Sequence, residues 1–186
     1  MKAAFIIYNG MTALDFVGVY DPLIRLHTMN FRPDFNWEIC SFKMKKIKSY
    51  SGLEFTATKC GVDLNSFDLI IIPGGKWTRK LINRDEFLDW LAEANKCELV
   101  ASVCTGSLLL GAAGLLRNKK ATTHLGAMSL LEKYCQEVVK ERIVDEGSVI
   151  TAGGVTAAVE LGLYLCEKIA GKKVKNKIAK QMEYRG

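Results

Sequence analysis

The stretch Glu98–Leu116, ELVASVCTGSLLLGAAGLL, decides how this chain folds. Its first six residues form a short apolar run of the kind that makes a strand buried on both faces. Its second half is small, apolar and helix-compatible until Gly111 and Gly114 loosen it. Cys104 falls at the junction, followed by Thr105 and Gly106. A thiol at such a turn sits at the carboxyl end of the strand and faces the first N–H groups of the helix, whose partial positive charge favours thiolate. The geometry is that of a nucleophile elbow with sulfur in place of oxygen. The competing reading is an inert buried cysteine, a common fate of a free thiol. The other segments have to separate the two.

Upstream of the elbow, Phe67–Ile72 (FDLIII) predicts a core strand that stops at Pro73-Gly74-Gly75. Lys2–Tyr8 (KAAFIIY) predicts a first buried strand closed by Asn9-Gly10, and Phe35–Phe42 alternates as a second strand. A helical pattern begins at Thr12, with Thr12 as its N-cap and Pro22 as a kink or the mark of its second half. Ile47–Thr58 is turn-rich and predicts a hairpin or edge excursion, and the spacing over Trp77–Cys97 predicts a helix. Downstream, Lys120–Thr123 is a short strand leading to His124, and Gly126–Tyr134 a helix. Arg142–Asp145 and Ser148–Ala152 are strand pieces around Glu146-Gly147. Gly153-Gly154 opens an apolar helix over Val155–Ile169, and Lys172–Tyr184 predicts a basic amphipathic helix. Strands alternating with helices imply an α/β sandwich with a mostly parallel sheet, in which ligands bind beyond the carboxyl ends of the strands. Three such ends carry suitable punctuation: Asn9-Gly10 with Asp15 soon after, Pro73-Gly74-Gly75, and Val103-Cys104-Thr105.

With 186 residues the chain fits one domain with a proper core, and its 49% apolar and 25% charged residues are ordinary for a soluble globular protein. The apolar run near the start is too short for a signal peptide or a membrane span, so the expected location is the cytoplasm, with no membrane partner. Six cysteines without a CxxC pair, and only two histidines, leave no zinc spacing and no metal site to predict. Neither GxGxxG nor GxxxxGK[ST] occurs, so no phosphate loop and no cofactor is expected. The net charge of +6 is matched by six lysines between Lys168 and Met182, a segment without an acid. Lys43, Lys45, Lys46 and Lys48 form a second cluster. Neither is interleaved with aromatics, so both read as solvated faces and no nucleic-acid partner is expected.

A cysteine nucleophile needs a proton carrier and donors for developing negative charge. The N–H groups of Gly75 and Thr105 would form an oxyanion hole, with Gly74 beside them; an ordinary strand-to-helix turn is the alternative. Asp15, within LDFVG, is either a helix-start acid favoured by the dipole or an inward acid whose pKa desolvation raises. His124 is a base for Cys104 only if it lies next to the thiol; otherwise it is structural. His27 reads as a residue of a helix C-terminus. Glu160, in the most apolar helix, reads as structural and needs a partner if buried.

YNGMTALDFVGVYDPL, IIPGG, ASVCTGSLLLGAAGLL, KKATTH and ITAGGVTAAVELGLYL together resemble the ThiJ/PfpI superfamily, through nearly the whole chain. The resemblance implies one class I glutamine amidotransferase-like domain over 1–186, a flavodoxin-like three-layer sandwich, and a homodimer. It also implies that Asp15 is the acidic partner of Cys104 and Pro73-Gly74-Gly75 the oxyanion segment. Peptidase-like members carry histidine directly after the cysteine, where this chain has Thr105, so peptidase activity is not expected. The deglycase and glyoxalase-like branch carries Glu where this chain has Asp15. Asp15, Cys104-Thr105, Thr122-Thr123-His124 and ITAGGVTA at 150–157 are more similar to isocyanide hydratases. They are also similar to the amino-terminal sensor domains of AraC-type regulators, but the chain ends about where such a domain ends. The implied chemistry is hydration of a small electrophilic isocyanide carbon to an N-substituted formamide, with Cys104 as nucleophile, Asp15 as proton carrier and Thr105 orienting Asp15. The alternatives are an oxidant-sensing stress protein using Cys104 and α-oxoaldehyde chemistry of the glyoxalase or deglycase type.

Overall fold

The computed structural model describes residues 1–185. The first half runs β1 (Lys2–Ile6), α1 (Ala13–Thr28), β2 (Asn36–Ser41), β3 (Lys46–Lys48), β4 (Glu54–Thr56), β5 (Lys59–Cys60), β6 (Leu69–Ile72), α2 (Thr78–Leu81) and α3 (Asp85–Ala92). The second half continues with β7 (Leu99–Val103), α4 (Gly106–Ala112), β8 (Lys120–Ala121), α5 (Met128–Leu131) and β9 (Glu137–Val138). It closes with β10 (Ile143–Asp145), β11 (Val149–Ala152), α6 (Ala157–Ala170) and α7 (Lys172–Gln181). Seven strands form one sheet in the order β10-β11-β7-β6-β1-β2-β5, and only β10 runs antiparallel. Every residue of β6, β7 and β11 is buried, and in β1 only Lys2 is exposed, which is why these strands read as unbroken apolar runs. The sheet is therefore covered on both faces, in the flavodoxin-like α/β arrangement.

Register sets up the site. Ile72 lies beside Ser102 and Ala152 beside Val103, so β6, β7 and β11 end side by side. Pro73-Gly74-Gly75, Cys104 and Gly153 thus emerge at one edge of the sheet. On one side α1 packs closely on α6, where a Cβ on Gly18 would come within 2.6 Å of the Ala158 Cβ. α1 runs through Pro22, whose ring packs on Gly162. Leu108, Leu109 and Leu110 of α4 are fully buried and fix the helix that follows the elbow.

Two expected helices are broken in the structure. Trp77–Cys97 is not one helix: α2 and α3 are separated at Arg84, which leaves helical geometry, and a 3-10 turn, Glu93–Lys96, follows. Asp85 and Glu86 start a new first turn, where acids suit the helix dipole. Gly126–Tyr134 breaks into a 3-10 turn at Leu125–Ala127, α5, and a second 3-10 turn at Glu132–Tyr134. Its buried anchors are only Ala127 and Leu131, too few to pay for a continuous short helix. Thr12 stands at the N-cap of α1, but its side chain makes no cap bond. Among the described residues no helix is long and apolar enough to cross a membrane.

Candidate active site at the β7–α4 elbow

Cys104 has φ +55°, a left-handed backbone that costs a non-glycine residue about 1–3 kcal/mol. The surroundings hold it there. Its N–H donates to the carbonyls of Ala152 (3.0 Å) and Gly153 (2.9 Å). Its carbonyl accepts from the hydroxyls of Thr123 (2.9 Å) and Ser107 (3.2 Å). Burial of the three leucines of α4, at roughly 1.5–3 kcal/mol each, outweighs the strain. The thiol is 5% exposed.

Asp15 is wholly buried in the first turn of α1. It gets there because the β1–α1 loop is pinned to the glycine segment. Met11 and Gly75 form a β-bridge, and the Thr12 N–H donates to the Gly74 carbonyl at 2.8 Å. Gly75 has φ +153°, and a Cβ there would lie 2.4 Å from the Gly10 carbonyl oxygen, so only glycine permits the approach. The Gly74 N–H donates to Asp15 Oδ2 at 3.0 Å. The carboxyl also faces the Cys104 thiol, and each group perturbs the other's titration. Its Oδ1 finds no nitrogen or oxygen partner among the described residues.

Burial dominates the proton balance. It pushes the Asp15 carboxyl up to about 7, against the Gly74 N–H and the Cys104 contact, which favour the ionised form. Burial, and then the neighbouring Asp15 charge, push the Cys104 thiol up to about 11. The N–H groups of Thr105 and Val155 face the sulfur and oppose that rise. The thiolate preference expected from the helix start is thus overridden by desolvation. Between about pH 7 and about pH 11 the pair holds one proton, on the thiol, and below that range it holds two.

Thr105 is buried beside the thiol, and its hydroxyl is engaged with Gly75, accepting from the Gly75 N–H at 2.9 Å. Of the two N–H groups expected as an oxyanion hole, Gly75's therefore meets Thr105 Oγ1, and Thr105's faces the sulfur. Among the described residues Asp15 is held by the Gly74 N–H rather than by the Thr105 hydroxyl. His124 is exposed; its Nδ1 accepts from the Gly126 N–H at 3.1 Å and its ring lies against Gly154. It is not among the groups acting on the thiol. His27 ends α1 against Trp37, and Glu160 is ion-paired with Arg142. Among the described residues no three His, Cys, Asp or Glu side chains gather as a metal would require.

Sequence reasoning missed three contributors. Thr123 braces the elbow carbonyl, the Val155 N–H faces the sulfur, and Tyr8 is buried with its charge-sensitive phenol near both Asp15 and Cys104. Thr123 and Val155 lie in the TTH and GGV segments, so their position in those segments was the available signal. A cavity of about 540 Å³ opens between the ends of β1 and β2 and α2–α3, lined by Tyr8, Asn9, Phe42, Trp77, Arg84 and Phe87; Cys104 does not line it.

Gly74 has no room for a side chain: a Cβ would fall 2.6 Å from the Thr105 nitrogen and 2.8 Å from Asp15 Oδ2. Gly74→Ala is expected to push Asp15 and Thr105 apart and to lower the melting temperature, with a loss of about 1–3 kcal/mol typical of overpacking. Thermal melts of the variant check this; an unchanged midpoint contradicts the packing described.

The DJ-1/PfpI family profile matches residues 1–168. The isonitrile hydratase of Pseudomonas putida is 34% identical over 185 residues, covering 99% of this chain and 78% of that protein. The HTH-type transcriptional regulator GbdR of Pseudomonas aeruginosa is 22% identical over 97% of this chain, which spans 50% of the regulator's length. The crystal structure of a ThiJ/PfpI family protein from Pseudomonas syringae superposes with a TM-score of 0.86 at 28% identity, covering 100% of this chain and 75% of that one.

Proposed function

The chain belongs to the DJ-1/PfpI family, and from that premise we propose that it is an isocyanide hydratase whose nucleophile is Cys104. The observation that carries this reading is a buried thiol set against a buried carboxyl, Asp15, with no imidazole acting on it. The near full-length similarity to an isonitrile hydratase supports the same chemistry. Thr105, standing where peptidase-like relatives carry histidine, weighs against peptide hydrolysis.

In the first step Asp15, ionised, takes the thiol proton as Cys104 Sγ attacks the terminal isocyanide carbon. A sulfur–carbon bond forms, the carbon–nitrogen triple bond becomes double, and Asp15 returns the proton to the carbon, giving a thioimidate. In the second step water, deprotonated by Asp15, adds to that carbon while the nitrogen takes up the proton. Collapse of the adduct breaks the carbon–sulfur bond, releases the N-substituted formamide and restores the thiol. The Thr105 and Val155 N–H groups stabilise negative charge on the departing sulfur. Gly75 acts through the Thr105 hydroxyl that its N–H binds, and Gly74 holds Asp15. The test is formamide production from an aryl isocyanide; no turnover by the wild-type protein refutes the hydratase reading.

A second reading, oxidant sensing at Cys104, is favoured by those same two N–H groups, which suit the oxygens of a sulfinate formed by peroxide. Peroxide-driven mass gain confined to Cys104, without turnover of isocyanide or of methylglyoxal to lactate, selects it.

We read residues 1–186 as a single cytoplasmic domain that works as a homodimer. Leu14 and Val17 of α1 are 48% and 43% exposed, and Tyr50 and Leu53 between β3 and β4 are 63% and 59% exposed. The β3–β4 hairpin lies against the start of α1 through the Phe16–Phe55 ring contact at 5.4 Å and the Tyr50 N–H bond to Met11. These residues compose the dimer surface in this reading. Val17→Asp is expected to shift the protein from dimer to monomer in size-exclusion chromatography with light scattering. A dimer that survives the substitution removes this surface from consideration.

A further inference from the structure

Tyr8 ends the first strand's apolar run and takes no part in the reaction described above. Its ring is buried, edge-on to Phe87 at 6.4 Å, and its hydroxyl donates to the Pro73 carbonyl at 2.7 Å. That carbonyl belongs to the same peptide unit as the Gly74 N–H, which donates to Asp15 Oδ2 at 3.0 Å. One amide plane is therefore gripped at both ends, by a phenol on its oxygen and a carboxyl on its hydrogen. A donor on an amide oxygen draws electron density from the nitrogen and strengthens the N–H as a donor, and the effect is larger in a dry interior.

We propose that Tyr8 is a positioning residue for Asp15, setting through the Pro73–Gly74 peptide how firmly that side chain is held as a carboxylate. The proposal rests on the reading of Asp15 as the proton carrier of Cys104. The titratable groups facing Asp15 are the Cys104 thiol from the β7–α4 elbow and the Tyr8 phenol from the end of β1. The glycine segment and Thr105 contribute neutral groups. Burial raises the phenol well above its ordinary range, so Tyr8 stays protonated and remains a donor throughout the range in which Asp15 titrates.

Removing the hydroxyl frees the peptide to tilt and weakens the Gly74 donor, so the ionised form of Asp15 loses support and its titration moves upward. The experiment is a carbon-13 NMR titration of carboxyl-labelled aspartate, with the Asp15 signal identified by its loss in Asp15→Asn. Tyr8→Phe is expected to raise the Asp15 midpoint by about one pH unit, the size of a charge-assisted hydrogen bond weakened but not abolished. Site-specific insertion of 3-fluorotyrosine at position 8 makes the phenol a stronger donor while keeping the hydroxyl, and is expected to lower the midpoint. It also decides the matter if Tyr8→Phe does not fold. A midpoint unmoved in the fluorinated protein, or unmoved in a folded Tyr8→Phe, overturns the proposal. The readout requires no turnover, so a wild-type protein inactive toward isocyanides refutes the hydratase reading and leaves this result standing.

Discussion

Cys104→Ala is expected to abolish the proposed formamide production from an aryl isocyanide, with a fall of at least about 10⁴-fold, the scale on which loss of a nucleophile is felt. No second thiol can replace it. Cys40, Cys97 and Cys166 are buried elsewhere in the core, the half-buried Cys135 donates to the Leu131 carbonyl after α5, and the exposed Cys60 lies on the edge strand β5. Cys104→Gly separates chemistry from architecture. Glycine adopts a φ of +55° without the strain that cysteine carries, so this variant is expected to melt no lower than Cys104→Ala and to be equally inactive. Side-by-side rate measurements and thermal melts read both outcomes. Turnover retained by either variant would sink the assignment of Cys104 as nucleophile.

Asp15→Asn is expected to slow the reaction by about 10²–10⁴-fold, the usual contribution of a positioned acid–base group. It should also change the shape of the pH profile. In the wild-type protein kcat/KM is expected to rise on the acid side with an apparent pKa near 7, the value to which burial pushes the carboxyl, and that limb is expected to disappear in Asp15→Asn. Stability moves the other way. A carboxyl raised in the folded state binds a proton that the unfolded chain has already released, so wild-type stability falls as pH rises from the ordinary carboxyl range to about 7. The loss is on the order of 4 kcal/mol at most and flattens above that point. Asp15→Asn avoids it, and is expected to melt higher than wild type above neutrality and at a similar temperature in acid. Denaturation curves across pH test the sign; a variant less stable than wild type at alkaline pH contradicts the buried carboxyl as the source of the penalty.

Much of the fold was legible in the sequence because it depends on short-range pattern. FIIY, LIII and LVASV are apolar without alternation, as strands covered on both faces must be, and each ends in punctuation that a ligand-binding edge requires. The helices that do not run continuously, Trp77–Cys97 and Gly126–Tyr134, rest in the sequence on spacing alone. Whether spacing becomes a helix depends on how much of the face finds a surface to bury. In α5 only Leu131 does.

The candidate site divides along the same line. The elbow at Cys104, the glycine segment and the inward or outward choice at Asp15 could all be named from residue order. The sequence by itself determined the parallel sheet, the strand ends and the thiol at the turn, because these follow from hydrophobic pattern and turn chemistry within a few residues. Only the tertiary structure turned Asp15 inward, engaged the Thr105 hydroxyl with Gly75, left His124 at the surface and tied Tyr8 to Pro73. All but the placement of His124 depend on a partner tens of residues away. The free energy of a buried polar group is set by which partner the packing delivers, and local sequence carries no record of it.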